Sequence, residues 1–216
     1  MTELVFDCLD VQPDRYNVSP TLNFRLRIAE TTGTPIHTIA LRCQIRIEVQ
    51  RRRYSPDEAE RLSDLFGEVS RWGDTLKPMH FTTIPLMVAG FEGSVEVDLQ
   101  VPLTYDFEVA TAKYFHALDE GEIPLLLMFS GTIFPKQQDN RFAIELVPWH
   151  KECTYRLPVS VWRETMDIYF PNSAWIRIRR DLFDQLRRYR SEHAPTGWDE
   201  AISSLLKTAG EGEGGL

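Results

Sequence analysis

The chain has 216 residues, 43% of them hydrophobic and 26% charged, with a formal net charge of −8. That is enough apolar material for a sizeable core, and the acidic balance disfavours a general nucleic-acid binder, because neutralising phosphates draws on an excess of Lys and Arg. The longest wholly apolar run, Leu125 to Phe129, falls far short of the roughly 20 residues that a membrane helix needs, and MTELVFDCLD lacks the basic and apolar regions of a secretory signal.

Three cysteines, Cys8, Cys43 and Cys153, are far apart and odd in number. Such spacing fits a reducing cytosol better than a disulfide framework. A cytoplasmic protein with no membrane association is the expectation.

The first 50 residues alternate. Leu22, Phe24, Leu26 and Ile28 share one face, with Asn23, Arg25 and Arg27 on the other. After TTGTP, residues Ile39, Leu41, Cys43, Ile45, Ile47 and Val49 alternate with Ala40, Arg42, Gln44, Arg46 and Glu48. Period-two patterning of this length predicts strands with one buried and one wet face. The turn residues at 31–35 predict that these two strands form an antiparallel hairpin. Leu4, Phe6 and Cys8 predict a shorter strand before them.

SPDEAERLSDLFG carries helix punctuation. Ser55 suits the N-cap, Pro56 the first turn, Asp57 and Glu58 the positive end of the dipole, and Gly67 the close. A helix is predicted over about 56–66. Strands return at 81–88 and 94–103. FEVATAKYFHAL predicts a helix over about 107–117, with Phe107, Ala110, Tyr114 and Leu118 on one face. IPLLLMFSGTIF has apolar residues of both parities and predicts a strand covered on both faces near Leu125 to Phe129. From Pro158 the character becomes helical: PVSVWRETMDIYF, RRDLFDQLRRYR and TGWDEAISSLLK each carry an apolar stripe. The expected organisation is a β-sandwich over 1–157, a helical layer packed on it over 158–207, and a disordered tail over 208–216. The fold class is mainly β with α, an antiparallel β-sandwich carrying a C-terminal helical layer.

VPWHKECTYRLPV concentrates reactive residue types. His150 and Cys153 lie three apart, but on an extended strand they point to opposite faces, and no companion His/Cys pair completes a tetrahedral site. The pattern predicts no metal here and no cofactor. Trp149 and Cys153 are expected in the core, with His150 and Glu152 on the other face. Cys8 and Cys43 have the apolar parity of inert buried thiols. HExxH, CxxC, P-loop and GxSxG patterns are all missing from the chain.

Two basic groups remain. Arg25, Arg27, Arg42, Arg46 and Arg52 (within RRR at 51–53) are expected to form one basic sheet face. Arg177, Arg179, Arg180, Arg187, Arg188 and Arg190 surround a C-terminal helix, where Arg180 and Arg187 with His150 and Glu152 make a second candidate patch. Charge runs are more often solvated faces than sites. As a site, either fits an acidic protein better than nucleic acid, because stacking aromatics are not interleaved with the charges. Trp149, Trp162, Trp175 and Trp198 crowd the last third, as a ligand cleft would require or, more commonly, as pins between helices and sheet.

YDFEVATAKYFHAL, IPLLLMFSGTIF and VPWHKECTYRLPVSVWRETMDIYFPNSAWI together resemble an uncharacterised bacterial family of unknown function associated with nickel–iron uptake hydrogenase gene clusters. The resemblance runs from the first strand to about Leu206. It implies a role beside hydrogenase assembly or maturation, with hydrogenase subunits or maturation factors as partners, and it transfers no catalytic residue. The functional expectation is a non-enzymatic binding or assembly protein. The alternative is a hydrolase-like enzyme whose site joins His150 and Glu152 to an acid from another strand.

Overall fold

Alternation builds eight strands in the computed structural model, which describes residues 2–103, 109–136, 143–171, 178–193 and 196–212. In chain order they are β1 (Leu4–Pro13), β2 (Thr21–Glu30), β3 (Ile36–Ile47), β4 (Met79–Val88), β5 (Ser94–Pro102), β6 (Glu122–Pro135), β7 (Glu145–Leu146) and β8 (Glu152–Pro158). The antiparallel order β1-β2-β5 makes a three-stranded sheet A. The order β4-β3-β6-β7, with β8 also paired to β6, makes a five-stranded antiparallel sheet B. The chain divides into two compact units, Met1–Asn172 and Ser173–Leu216, and both sheets belong to the first.

The buried parity is the expected one. Leu22, Phe24, Leu26 and Ile28 of β2, and Ile39, Leu41, Cys43, Ile45 and Ile47 of β3, are all in the core. Phe6 of sheet A stacks on Phe129 of sheet B with ring centroids 4.1 Å apart. Each fully buried aliphatic or aromatic side chain contributes about 1.5–3 kcal/mol, so this shared interior is the main source of cohesion between the sheets. The fold is mainly β with α, an antiparallel sandwich whose C-terminal part is helical.

The expected hairpin between β2 and β3 does not form, since β2 pairs with β1 and β5, and β3 with β4 and β6. The 31–35 segment carries the chain from one sheet to the other. Glu30 organises this crossing: its carboxylate accepts from the backbone N–H groups of Glu3, Thr32 and Thr34 and from the Thr32 hydroxyl. Burial opposes its ionisation, but these bonds outweigh it and hold the carboxyl below the ordinary range. Glu48, expected on the wet face, is buried where β3 gives way to a 3-10 turn at Val49–Arg51.

The helices of the first unit are α1 (Pro56–Phe66), α2 (Trp72–Thr75), α3 (Val109–Ala117) and α4 (Val159–Tyr169). Ser55 and Glu58 form a full capping box at the start of α1. Tyr114 of α3 is fully buried among Tyr54, Phe66 and Phe115. Trp162 of α4 stacks on Phe115 of α3, centroids 5.4 Å apart, so this contact joins two helices, where a pin between helix and sheet was expected. Phe107 and its neighbours at 104–108 lie outside the described residues. In the second unit, α5 (Arg180–His193) and α6 (Trp198–Gly212) pair through Phe183 against Trp198 and a contact of the Tyr189 and Ser204 hydroxyls. Helix α6 continues through Gly212, into the segment expected to be a disordered tail.

Candidate functional site

The two sheets bury their facing sides, so their outer faces point away from each other. Arg25 and Arg27 lie on the outer face of sheet A, Arg42 and Arg46 on that of sheet B. The single basic face expected from the sequence therefore does not exist. Alternation fixes which side of a strand is wet but not which sheet the strand joins.

The two faces also differ electrostatically. Across sheet A, Arg27 Nη2 is 2.8 Å from Asp7 Oδ2, and Arg25 Nε is 3.7 Å from Asp98 Oδ1. These are cross-strand neighbours, since Asp7 pairs in register with Arg27 and Asp98 with Arg25. Such exposed pairs add little stability, but they cancel the charge of that face. On sheet B, neither Arg42 nor Arg46 has a carboxylate within ion-pair range among the described residues.

Arg52 has a third fate. Its Nη1 and Nη2 each donate to a Glu58 carboxylate oxygen at 2.8 Å, while Nη2 also reaches the Glu120 carbonyl at 2.5 Å and Nε the Glu122 carbonyl at 3.2 Å. Both side chains are almost wholly buried, at 7% and 4% exposure. Glu58 accepts in addition from the backbone N–H groups of Ser55 and Asp119. The pair thus ties α1 to the loop before β6, beside an open cleft of about 1000 Å³. Arg52 is a structural tie whose donors are engaged, not part of an exposed basic surface.

The outer face of sheet B carries the candidate site. Met87, Ala40, Thr132 and Leu146 stand opposite one another in register across β4, β3, β6 and β7. Met87 and Leu146, at the two ends of this row, are 67% and 73% exposed. Between them lies a shallow groove of about 690 Å³, with Ala40, Gly131 and Thr132 as floor and Arg42 in the next row. Ile144, two residues before Leu146 and of the same parity, is also exposed. Sequence reasoning missed this row, because it depends on register between strands; the even-parity residues Ala40 and Thr132 and the odd Gly131 were its only signal.

VPWHKECTYRLPV is not extended throughout. Pro148 to Lys151 form a turn closed by the Lys151 N–H to the Pro148 carbonyl, 3.1 Å, and β8 begins only at Glu152. Leu146 pairs with Thr132 and Glu152 with Met128, both along one side of β6. The connecting chain holds more residues than β6 offers over that stretch, and the surplus loops out. Trp149 is consequently 91% exposed, not in the core as expected, and its ring lies edge-on to His150. Cys153 does face inward, and Glu152 is exposed.

Arg180 and Arg187 are exposed on α5 of the second unit, whereas His150 and Glu152 belong to the first. Arg177 and Trp175 lie outside the described residues. The four described tryptophans share no cleft within either unit: Trp72 and Trp162 are buried among aromatics, Trp149 is in its turn, and Trp198 lies under the Arg190 guanidinium, 4.2 Å from the ring centre. Burial pushes the Cys8 and Cys153 thiols up to about 12 and the Cys43 thiol higher still. Among the described residues no three His, Cys, Asp or Glu side chains are placed to hold a metal ion, and no helix is long and apolar enough to cross a membrane.

Residues 1–214 match the model of a family described as "Family of unknown function (DUF6084)". No curated protein matches the sequence. Among solved structures, β-glucosidase 3B from Thermotoga neapolitana in complex with α-D-glucose aligns over 72% of this chain at 14% identity and a TM-score of 0.25. A β-glucosidase from Kluyveromyces marxianus aligns over 72% at 8% identity and a TM-score of 0.23. The chain covers only 17% and 15% of those two proteins, and likeness this slight carries no argument about sugar chemistry.

Proposed function

We propose that this chain, which belongs to that family of unknown function, is a non-enzymatic protein-binding or assembly module that docks its partner on the outer face of sheet B. One observation carries the reading: the register of β4, β3, β6 and β7 aligns Met87, Ala40, Thr132 and Leu146 into a row with exposed apolar ends. Contiguous exposed apolar groups rimmed by polar ones mark interaction surfaces. The row sits on regular strands, so little ordering entropy is lost when a partner covers it. For the partner's identity, the support is the resemblance of YDFEVATAKYFHAL, IPLLLMFSGTIF and VPWHKECTYRLPVSVWRETMDIYFPNSAWI to a hydrogenase-associated family, which points to nickel–iron hydrogenase subunits or maturation factors. The enzyme alternative is less well supported, because His150 sits in an exposed turn where its ring neighbour is Trp149.

Affinity purification from the host, with wild type beside Met87→Glu/Leu146→Glu, tests both levels. The expected result is recovery of hydrogenase subunits or maturation factors by wild type and their loss with the variant. Recovery of none by wild type removes the hydrogenase role. Equal recovery by both chains removes the docking face.

A further inference from the structure

We infer that the groove on sheet B receives an apolar side chain from an acidic polypeptide segment, whose carboxylates pair with Arg42 and Arg46. The inference rests on the docking reading of this face and names the chemistry of what docks there.

The first argument is charge. The chain has a net charge of −8, and three of the five arginines Arg25, Arg27, Arg42, Arg46 and Arg52 are matched internally with carboxylates. Among the described residues Arg42 and Arg46 are left without a carboxylate in ion-pair range, both exposed and on one face. Four residues apart on β3, they stand about 13 Å from each other along the strand. Potentials across interfaces are complementary, so unmatched cations on an otherwise acidic chain call for an acidic counterpart.

The second argument is the shape of the groove. At Gly131 the backbone has φ +147°, and a Cβ there would stand 2.1 Å from the Ala40 carbonyl oxygen. An added Cβ there meets the backbone of β3 itself, so β3 and β6 stay in close approach beneath the groove, where Ala40 presents only a methyl group. Met87 forms one wall, and a methionine adapts to the side chain it meets. Leu146 forms the other. A groove with apolar walls and one arginine beside it suits an apolar side chain flanked by a carboxylate. Nucleic acid fits less well: two cations make few phosphate contacts, and the walls hold no aromatic ring for a base to stack on.

The test uses the whole isotope-labelled chain in NMR titrations. The probe is a short synthetic peptide of alternating Glu and Leu, with a Lys–Leu peptide and a single-stranded oligothymidylate as contrasts. The Glu–Leu peptide should shift the amides of Ala40, Arg42, Arg46, Gly131 and Thr132, and should bind more weakly as salt is raised. Arg42→Glu/Arg46→Glu should weaken it about tenfold or more. Arg25→Glu/Arg27→Glu makes the same change of net charge on the opposite sheet and should leave binding near wild type. Equal weakening by both double variants, or shifts confined to other surfaces, would overturn the inference. So would oligothymidylate binding the same residues more tightly than the peptide does. If Met87→Glu/Leu146→Glu abolishes partner capture while Arg42→Glu/Arg46→Glu does not, the docking face stands and the acidic occupant falls.

Discussion

Arg52 and Glu58 meet through two parallel hydrogen bonds of 2.8 Å, with both side chains nearly sealed from solvent. The guanidinium also reaches the Glu120 carbonyl in the loop before β6 and the Glu122 carbonyl at its start, and the carboxylate two backbone N–H groups. One ion pair thus satisfies α1, the start of β6 and the end of the loop after α3 together. Such an arrangement recovers much of what desolvating the two charges costs, and removing one partner leaves the other buried without compensation.

Glu58→Gln should therefore destabilise the first unit by about 3–5 kcal/mol in urea unfolding. Arg52→Lys should also be costly, since a single ammonium cannot span two carboxylate oxygens and two carbonyls. The pH dependence has a definite sign. Burial raises the Glu58 pKa, but Arg52 and the Asp119 and Ser55 amides lower it more, to about 2 against an ordinary 4.5. Between those values the unfolded chain binds a proton that the folded chain does not, so stability falls as pH drops through that window. Glu58→Gln should flatten the slope there. A wild-type slope that survives the substitution unchanged would show that other carboxylates dominate.

At Gly131 the close approach to Ala40 predicts an outcome that hydropathy would not. An added methyl collides with backbone rather than with a movable side chain, and φ +147° is itself strained for an L residue. Gly131→Ala should cost about 2 kcal/mol or more and should disturb the pairing of β3 with β6. Gly73, exposed in α2 with nothing near its missing Cβ, is the control. Gly73→Ala should be neutral or stabilising by up to about 1 kcal/mol. Thermal melts of both variants decide it; a Gly131→Ala chain as stable as wild type would mean that the strands can separate locally without loss.

Much of this fold was legible because its signals are local. The buried faces of β2 and β3 follow from alternation, and α1 from Ser55, Pro56, Glu58 and Gly67. Which sheet each strand joins was not legible. TTGTP looks like a hairpin turn, and only the Glu30 carboxylate, gathering the Thr32 and Thr34 amides from within it and the amide of Glu3, reveals a crossing. The site suffered most from this, because Arg25, Arg27, Arg42 and Arg46 share a parity of exposure but not a sheet. Trp149 was misjudged for a related reason: its exposure results from a mismatch in length between the 146–152 segment and the stretch of β6 beside it. Arg52 reads as one of three adjacent arginines until carbonyls distant in sequence are seen to surround it.

The cysteines give the last prediction. Cys8, Cys43 and Cys153 come from β1, β3 and β8 and turn toward one interior. Cys8 donates weakly to the Asp10 carbonyl at 3.9 Å, beside the bulge in β1. Burial is the main cause that pushes the Cys8 and Cys153 thiols up to about 12, and mutual repulsion adds to it for Cys8. The thiolate is the reactive form, so it is scarce at neutral or mildly alkaline pH. In the folded chain at pH 8, all three thiols should react with a chromogenic disulfide reagent far more slowly than free cysteine does. Denaturant should release all three at the free rate. Rapid stoichiometric reaction of one thiol without unfolding would show an open path to it, and the inert-core reading of that cysteine would fail. Cys43→Ser, which puts a hydroxyl among apolar strands, should cost roughly 1–3 kcal/mol if the hydroxyl finds no partner. Cys43→Ala removes the thiol without adding a polar atom and should keep the slow kinetics of the other two.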